Sequence, residues 1–139
     1  MLDKNRIITK FEDLSRFLGE LEQIVPKTYK EYSAIEKRRS CERLMQLSIE
    51  CVMDVCKLIV SGSNFGIPCE ETDILDVLEK KKVISKKLNK ELKEMRGFRN
   101  ILVHEYATVD DNLAFKILKT KMNSFTNFKK EIKEFIKSK

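Results

Sequence analysis

The sequence predicts an all-α protein, an antiparallel bundle of four long helices plus one short helix. Apolar residues recur at steps of three and four in several stretches, and no stretch alternates as a half-buried strand does. Only four Gly and two Pro interrupt the chain. Charged residues make up 36% of it, which suits amphipathic helices with solvated outer faces. The length of 139 residues favours a single domain over residues 1–139.

The first two long helices follow from their apolar spacing. The first has one apolar face and stops at Pro26: Ile7, Phe11, Leu14, Leu18, Leu21 and Val25. The second has a wider face, which predicts packing on more than one side: Ile35, Leu44, Met45, Leu47, Cys51, Val52, Val55, Cys56, Leu58 and Ile59. Gly62 is the expected C-cap of this helix, and residues 61–68 form the expected loop.

The second half of the chain predicts the remaining three helices. A short helix is expected around Ile74, Leu75 and Leu78. Ser85 suits the N-cap of a long helix with Leu88, Leu92, Met95 and Leu102 on its apolar face. Asp110 or Asp111 is expected to cap one last helix with a continuous apolar face: Leu113, Ile117, Leu118, Phe125, Phe128, Ile132 and Phe135.

The inventory of reactive residues is small. No pair of cysteines has the Cys-x-x-Cys spacing of a zinc or redox site, and Cys51 and Cys56 fit as small buried hydrophobes. The single histidine, His104, excludes a multi-histidine metal site within one chain. No Gly-rich phosphate loop occurs. We therefore expect no metal and no cofactor, with a Cys–His pair as a minor alternative for catalysis.

Charge and hydropathy bear on location and partners. The most apolar stretch, residues 44–60, carries Glu50, Asp54 and Lys57, which is not typical of a membrane span. The first residues do not resemble a signal peptide, so a cytoplasmic protein without a membrane partner is expected. The net charge of +6 favours a phosphate-bearing partner such as RNA, although a lysine-rich solvated surface explains the same excess.

Polar residues crowd the segment that contains the histidine. Arg99 and Tyr106 are seven residues apart and share a face of an ideal helix, whereas His104 lies off that face. One chain therefore does not naturally bring Arg99 and His104 to one phosphate, but two copies meeting across a symmetry axis do. A lone His beside one Arg is also compatible with a purely structural role.

The string from Gly97 to Tyr106, followed by Val109 and Asp110, resembles the signature of HepT-like proteins in the HEPN superfamily. Their motif is Arg, four residues, His, one residue and Tyr, which Arg99, His104 and Tyr106 match in full. The likeness extends over nearly the whole chain. The sequence departs from it at residues 67–71, where many HepT-like proteins have a Pro-rich, Tyr-containing stretch.

The resemblance implies an all-helical homodimer that acts as the toxin of a type VII-like toxin–antitoxin module. It implies a metal-independent endoribonuclease with Arg99 and His104 as catalytic residues and Asn100 as a supporting polar residue. The substrate is expected to be tRNA or mRNA. The implied antitoxin is a minimal nucleotidyltransferase that transfers AMP to Tyr106.

Two other functions fit the same residues. The chain is alternatively a non-catalytic helical partner, or substrate-binding subunit, of a nucleotidyltransferase, with the motif as its docking and modification site. In the second alternative it is a dimeric scaffold whose Arg-His-Tyr cluster stabilises an interface. Loss of RNA cleavage on mutating His104 separates the ribonuclease from the non-catalytic partner, and an adjacent nucleotidyltransferase gene favours either of these two over the scaffold.

Overall fold

The computed structural model describes residues 1–67, 70–103 and 110–139. Within these ranges the chain is helical, and no strand is present. The helices, in chain order, are α1 (Lys4–Ile24), α2 (Tyr29–Tyr32), α3 (Ile35–Gly62), α4 (Glu71–Lys80), α5 (Lys86–Val103), α6 (Asp111–Thr120) and α7 (Met122–Lys137). The all-α bundle is confirmed, with α1, α3, α5 and α7 as its four long helices. The structure adds the single turn α2 and a division of the last predicted helix.

Helix α1 lies along α3 in the opposite direction, so Met1 and Leu2, just before α1, lie against Gly62 at the end of α3. A Cβ atom at Gly62 would lie 2.9 Å from the Met1 carbonyl oxygen, closer than real side chains approach. The absence of a side chain therefore lets the start of the chain reach the end of α3. Gly62 was expected to be the C-cap, but the cap residue is Ser63, and Gly62 serves this close approach instead.

Buried apolar side chains from all seven described helices join one hydrophobic cluster. Phe11 of α1 meets Phe128 of α7 edge to face, with ring centroids 6.2 Å apart. The predicted apolar face of α3 is confirmed at Met45, Cys51, Val52, Val55, Cys56 and Ile59, which are buried. It is wrong at Ile35, which is 68% exposed in the first turn of the helix. In the described part of the chain, no helix is both long enough and apolar enough to cross a membrane.

Three of the four cysteines are buried in this cluster, and none of the three is in a disulfide: Cys41, Cys51 and Cys56. Burial raises the pKa of the Cys51 thiol to about 11 and that of the Cys56 thiol to about 12. A thiol with so high a pKa holds little of the reactive thiolate near neutral pH. Their interpretation as small buried hydrophobes is confirmed for Cys51 and Cys56, and Cys69 lies outside the described residues.

The predicted last helix is divided at Lys121 into α6 and α7. The Thr120 hydroxyl donates a hydrogen bond to the Lys116 carbonyl oxygen at 2.7 Å, a back-bond that bends helices. After the bend, α7 packs on α5 while α6 contacts α2, where the rings of Tyr32 and Phe115 lie 5.3 Å apart. The apolar period continues unbroken across the bend, so periodicity alone does not reveal it.

The predicted caps set where α5 and α6 begin. Ser85 Oγ accepts a hydrogen bond from the Leu88 amide at 3.1 Å, which confirms Ser85 at the start of α5. Asp110, rather than Asp111, caps α6, because its carboxylate accepts from the Leu113 amide at 3.1 Å. The segment with the histidine thus joins the end of α5 to the start of α6.

Candidate active site

The last turns of α5 carry two arginines on one edge of the buried face. Met95 and Phe98 are buried, and Arg96 and Arg99 each follow one of them by one position. Residues three apart are neighbours on a helix, so both guanidinium groups point toward the same side. Of the predicted site residues, the structure places Arg99 and Asn100 next to each other, whereas His104 and Tyr106 lie outside the described residues.

Arg99 is held by a carboxylate from another helix. Its Nη2 nitrogen lies 2.5 Å from Glu71 Oε1, and the two side chains are only 15% and 21% exposed. Glu71 is the first residue of α4, whose start is fixed because the Glu70 amide donates to the Asp73 carboxylate at 3.2 Å. A carboxylate there also benefits from the positive end of the helix dipole.

Asn100 holds the same edge of the guanidinium. Its Oδ1 oxygen accepts hydrogen bonds from Arg99 Nη2 at 3.0 Å and from Arg99 Nε at 3.2 Å. A guanidinium has five N–H donors, and these contacts use the one on Nε and both on Nη2. Among the described residues, no hydrogen bond to Nη1 occurs.

Glu71 is surrounded by three cations. Besides Arg99, Lys57 Nζ of α3 lies 3.3 Å from Glu71 Oε2, and Arg96 Nε lies 3.4 Å from Glu71 Oε1. Burial of the Glu71 carboxyl acts to raise its pKa, but the hydrogen bonds and charges of Arg99 and Lys57 outweigh it and hold the pKa below its ordinary value. One negative charge among three positive ones leaves this cluster net positive.

The far end of the motif segment is also anchored by an ion pair. Arg38 Nη1 of α3 lies 3.4 Å from Asp111 Oδ2 at the start of α6. Arg38 and Arg39 both approach Glu42, which is buried on α3. The helix ends on both sides of this segment are therefore held by ion pairs. Arg99, near the end of α5, binds Glu71 of α4, and Asp111, at the start of α6, binds Arg38 of α3.

Glu71 and Lys57 were not predicted as partners of Arg99. Glu71 lies 28 residues before Arg99 along the chain and Lys57 lies on a third helix, so no local spacing connects them. From the sequence alone, Glu71 at the start of a helix is explained by its favourable interaction with the helix dipole. The contact depends on how α3, α4 and α5 pack.

Comparison with known proteins gives the family. A model of the family described as HepT-like ribonuclease matches residues 14–132. The tRNA nuclease HepT of Aphanizomenon flos-aquae is 26% identical over 131 residues, which are 94% of this chain and 89% of that protein. The mRNA nuclease HepT of Shewanella oneidensis is 24% identical over 122 residues, which are 88% of this chain and 92% of that protein.

A solved structure shares the fold. The tri-AMPylated HEPN toxin of Shewanella oneidensis, solved in complex with an MNT antitoxin, aligns with a TM-score of 0.86 at 24% sequence identity. The alignment covers 92% of this chain and 96% of the toxin. The family match spans most of the chain and agrees with the family predicted from the motif string. The chain belongs to the HepT-like ribonuclease family.

Proposed function

We propose that this chain is a metal-independent RNA endonuclease and the toxin of a two-gene, type VII-like toxin–antitoxin module in the cytoplasm. The observation that supports the proposal most directly is the set of contacts made by the Arg99 guanidinium. In a member of a ribonuclease family, the predicted catalytic arginine is held along one edge by Glu71 and Asn100, while its Nη1 end has no partner among the described residues. A guanidinium held in this way is prepared to bind a phosphate.

The chemistry needs only a base, an acid and a cation. A base takes the proton of an RNA 2′-hydroxyl, whose oxygen attacks the adjacent phosphorus. The bond from phosphorus to the 5′-oxygen then breaks, and an acid returns a proton to that oxygen. The products are a 2′,3′-cyclic phosphate and a 5′-hydroxyl. His104 suits proton transfer near neutral pH, and Arg99 suits the charge that develops on the phosphorane.

A homodimer would supply the second histidine. Each chain has one His, so base and acid require either one residue in both roles or one from each copy. Three aliphatic side chains next to the motif segment are 39 to 44% exposed: Ile101, Val103 and Leu113. Half-exposed apolar residues on both sides of a catalytic segment favour an interface there with a second copy.

The proposed antitoxin is a minimal nucleotidyltransferase that transfers AMP to Tyr106. Support comes from the fold relative, an AMPylated HEPN toxin solved in complex with an MNT antitoxin. An AMP group on Tyr106 would add a negatively charged phosphodiester seven residues from Arg99 along the chain. That charge would compete with RNA phosphate for the cationic cluster.

The proposal is tested by incubating the purified protein with total RNA and with tRNA in EDTA, beside a His104→Ala control. Both RNA classes are needed because one named relative is a tRNA nuclease and the other an mRNA nuclease. Cleavage by the wild type alone supports the ribonuclease. Equal cleavage by both proteins contradicts the role of His104. No cleavage by either, with AMP transfer by the partner enzyme intact, favours the non-catalytic partner of a nucleotidyltransferase.

A further inference from the structure

Glu71 and Asn100 both bind the Nη2 side of Arg99. Glu71 Oε1 accepts from Nη2, and Asn100 Oδ1 accepts from Nη2 and Nε. Two acceptors from different positions restrict both the direction and the rotation of the planar guanidinium. Among residues 1–67, 70–103 and 110–139, no hydrogen bond is made to the Nη1 end of the fork.

A carboxylate beside a phosphate-binding arginine would ordinarily weaken anion binding. Here Lys57 and Arg96 offset it, because both lie within 3.4 Å of the same carboxylate. The cluster keeps a net positive charge with Glu71 ionised. The arrangement therefore fixes the geometry of Arg99 without removing the attraction for RNA phosphate.

Packing of α4 on α5 does not depend on Glu71. Leu75 and Leu78 of α4 are fully buried in the hydrophobic cluster. A separate ion pair also joins the two helices, since Lys93 Nζ lies 2.6 Å from Asp76 Oδ1. Asp76 is more exposed than Glu71, with 56% of its side chain accessible against 21%. The more buried carboxylate is the one that binds the predicted catalytic arginine.

We propose that Glu71 is a positioning residue for RNA cleavage, an inference that rests on the function proposed above. Its carboxylate holds Arg99 by Nη2 so that the Nη1 end meets the scissile phosphate, while Lys57 and Arg96 keep the site cationic. Glu71 acts by orienting the Arg99 guanidinium and does not itself contact the RNA. Removing the charge of Glu71 should slow the chemical step and should not weaken RNA binding.

The test compares the wild type with Glu71→Gln, Glu71→Asp, Arg99→Ala and a matched control, Asp76→Asn, which removes another carboxylate of α4 that binds α5. Three quantities are measured for each: kcat and KM on a cleaved RNA, Kd for the same RNA with a 2′-deoxy nucleotide at the cleavage site, and the melting temperature. The 2′-deoxy RNA cannot react, so its Kd reports binding alone.

Glu71→Gln should lower kcat by on the order of 10²-fold, the effect of misplacing a reacting group by about 1 Å. Its Kd should be unchanged or tighter, because a negative charge is gone. Glu71→Asp, which keeps the charge on a shorter side chain, should fall between Glu71→Gln and the wild type. Asp76→Asn should cleave at the wild-type rate.

Two results would overturn the inference while leaving the ribonuclease in place. One is wild-type kcat in Glu71→Gln when Arg99→Ala is inactive. The other is a loss of RNA binding in Glu71→Gln that parallels its loss of cleavage, which would show that the carboxylate does not act by positioning Arg99 for the chemical step. Wild-type cleavage by Arg99→Ala would instead overturn the proposed role of Arg99 and this inference with it.

Discussion

Arg38 of α3 binds Asp111 at the start of α6, with Nη1 and Oδ2 3.4 Å apart, and Asp110 beside it caps the same helix. These two acidic residues fix the end of the segment that contains His104 and Tyr106. Their contributions are separable, because one carboxylate faces a side chain and the other a backbone amide.

Asp110→Ala should lower the free energy of unfolding by about 1 kcal/mol, the usual cost of losing an N-cap. Asp110→Asn should restore most of it, since Asn caps helices as well as Asp does. Urea unfolding followed by circular dichroism measures both. Equal losses in the two variants would show that charge, rather than the cap hydrogen bond to the Leu113 amide, is what stabilises this end of α6.

Arg99→Ala should reduce RNA cleavage by about 10²- to 10³-fold, the typical effect of removing a group that stabilises developing negative charge. Arg99→Lys should recover little activity, because an ammonium group lacks the planar fork that Asn100 and Glu71 bind. Arg16→Ala is the matched control, since Arg16 is an exposed arginine of α1. The cleavage rate of each variant is measured under single-turnover conditions. Full activity of Arg99→Lys would show that cleavage does not require the planar guanidinium.

The protein should be a dimer at micromolar concentration, with the end of α5 in the interface. Val103→Glu should shift it toward monomer, because a charge replaces a half-exposed apolar side chain beside the motif. Ile8→Glu provides the control, since Ile8 is 52% exposed on α1. Light scattering gives the mass of each. A monomeric wild type, or a dimer that only Ile8→Glu disrupts, would contradict the proposed assembly.

Much of this architecture follows from the sequence, and the parts that do not have identifiable causes. Apolar spacing predicts the long helical stretches, and Ser85 and Asp110 predict where α5 and α6 begin, because these signals are local. The bend at Lys121 leaves the apolar period intact, so the period does not show it. The pairing of Glu71 with Arg99 requires three helices to pack and has no signal in a single sequence.

The roles of the site residues were predicted mainly from the motif string. Arg99 and Asn100 are next to each other as the sequence requires, but that they bind through the guanidinium edge is a result of the structure. The catalytic role of His104 and the modification of Tyr106 remain predictions, because both residues lie outside the described ranges.

Tyr106→Phe should keep the fold and the nuclease activity but resist neutralisation by the partner nucleotidyltransferase. The substitution retains the ring and removes only the hydroxyl that would accept AMP. Intact mass spectrometry after co-expression should show added AMP on the wild type and none on Tyr106→Phe. AMP found only on Tyr29 or Tyr32 would remove this mode of control, although Tyr32 is buried and offers no accessible hydroxyl for transfer.

The contribution of Glu71 to the free energy of unfolding should decrease as the pH is lowered. Its pKa is held below the ordinary value in the folded protein, since Arg99 and Lys57 outweigh burial. Such a group stabilises the fold above its unfolded pKa, and the contribution is lost as pH falls through the folded pKa. The difference in unfolding free energy between wild type and Glu71→Gln should therefore be steady from about pH 7 to about pH 5 and shrink below about pH 4. A difference that grows on acidification would reverse the sign of the pKa shift.

The rate of RNA cleavage in EDTA, compared between the wild type and His104→Ala on one mapped RNA, decides whether His104 drives metal-independent cleavage. The wild type should cleave at a rate that EDTA leaves unchanged, with 2′,3′-cyclic phosphate and 5′-hydroxyl ends. His104→Ala should lose that cleavage, while its circular dichroism spectrum and dimer mass stay the same. Abolition of activity by EDTA, or wild-type cleavage by His104→Ala, would contradict this mechanism.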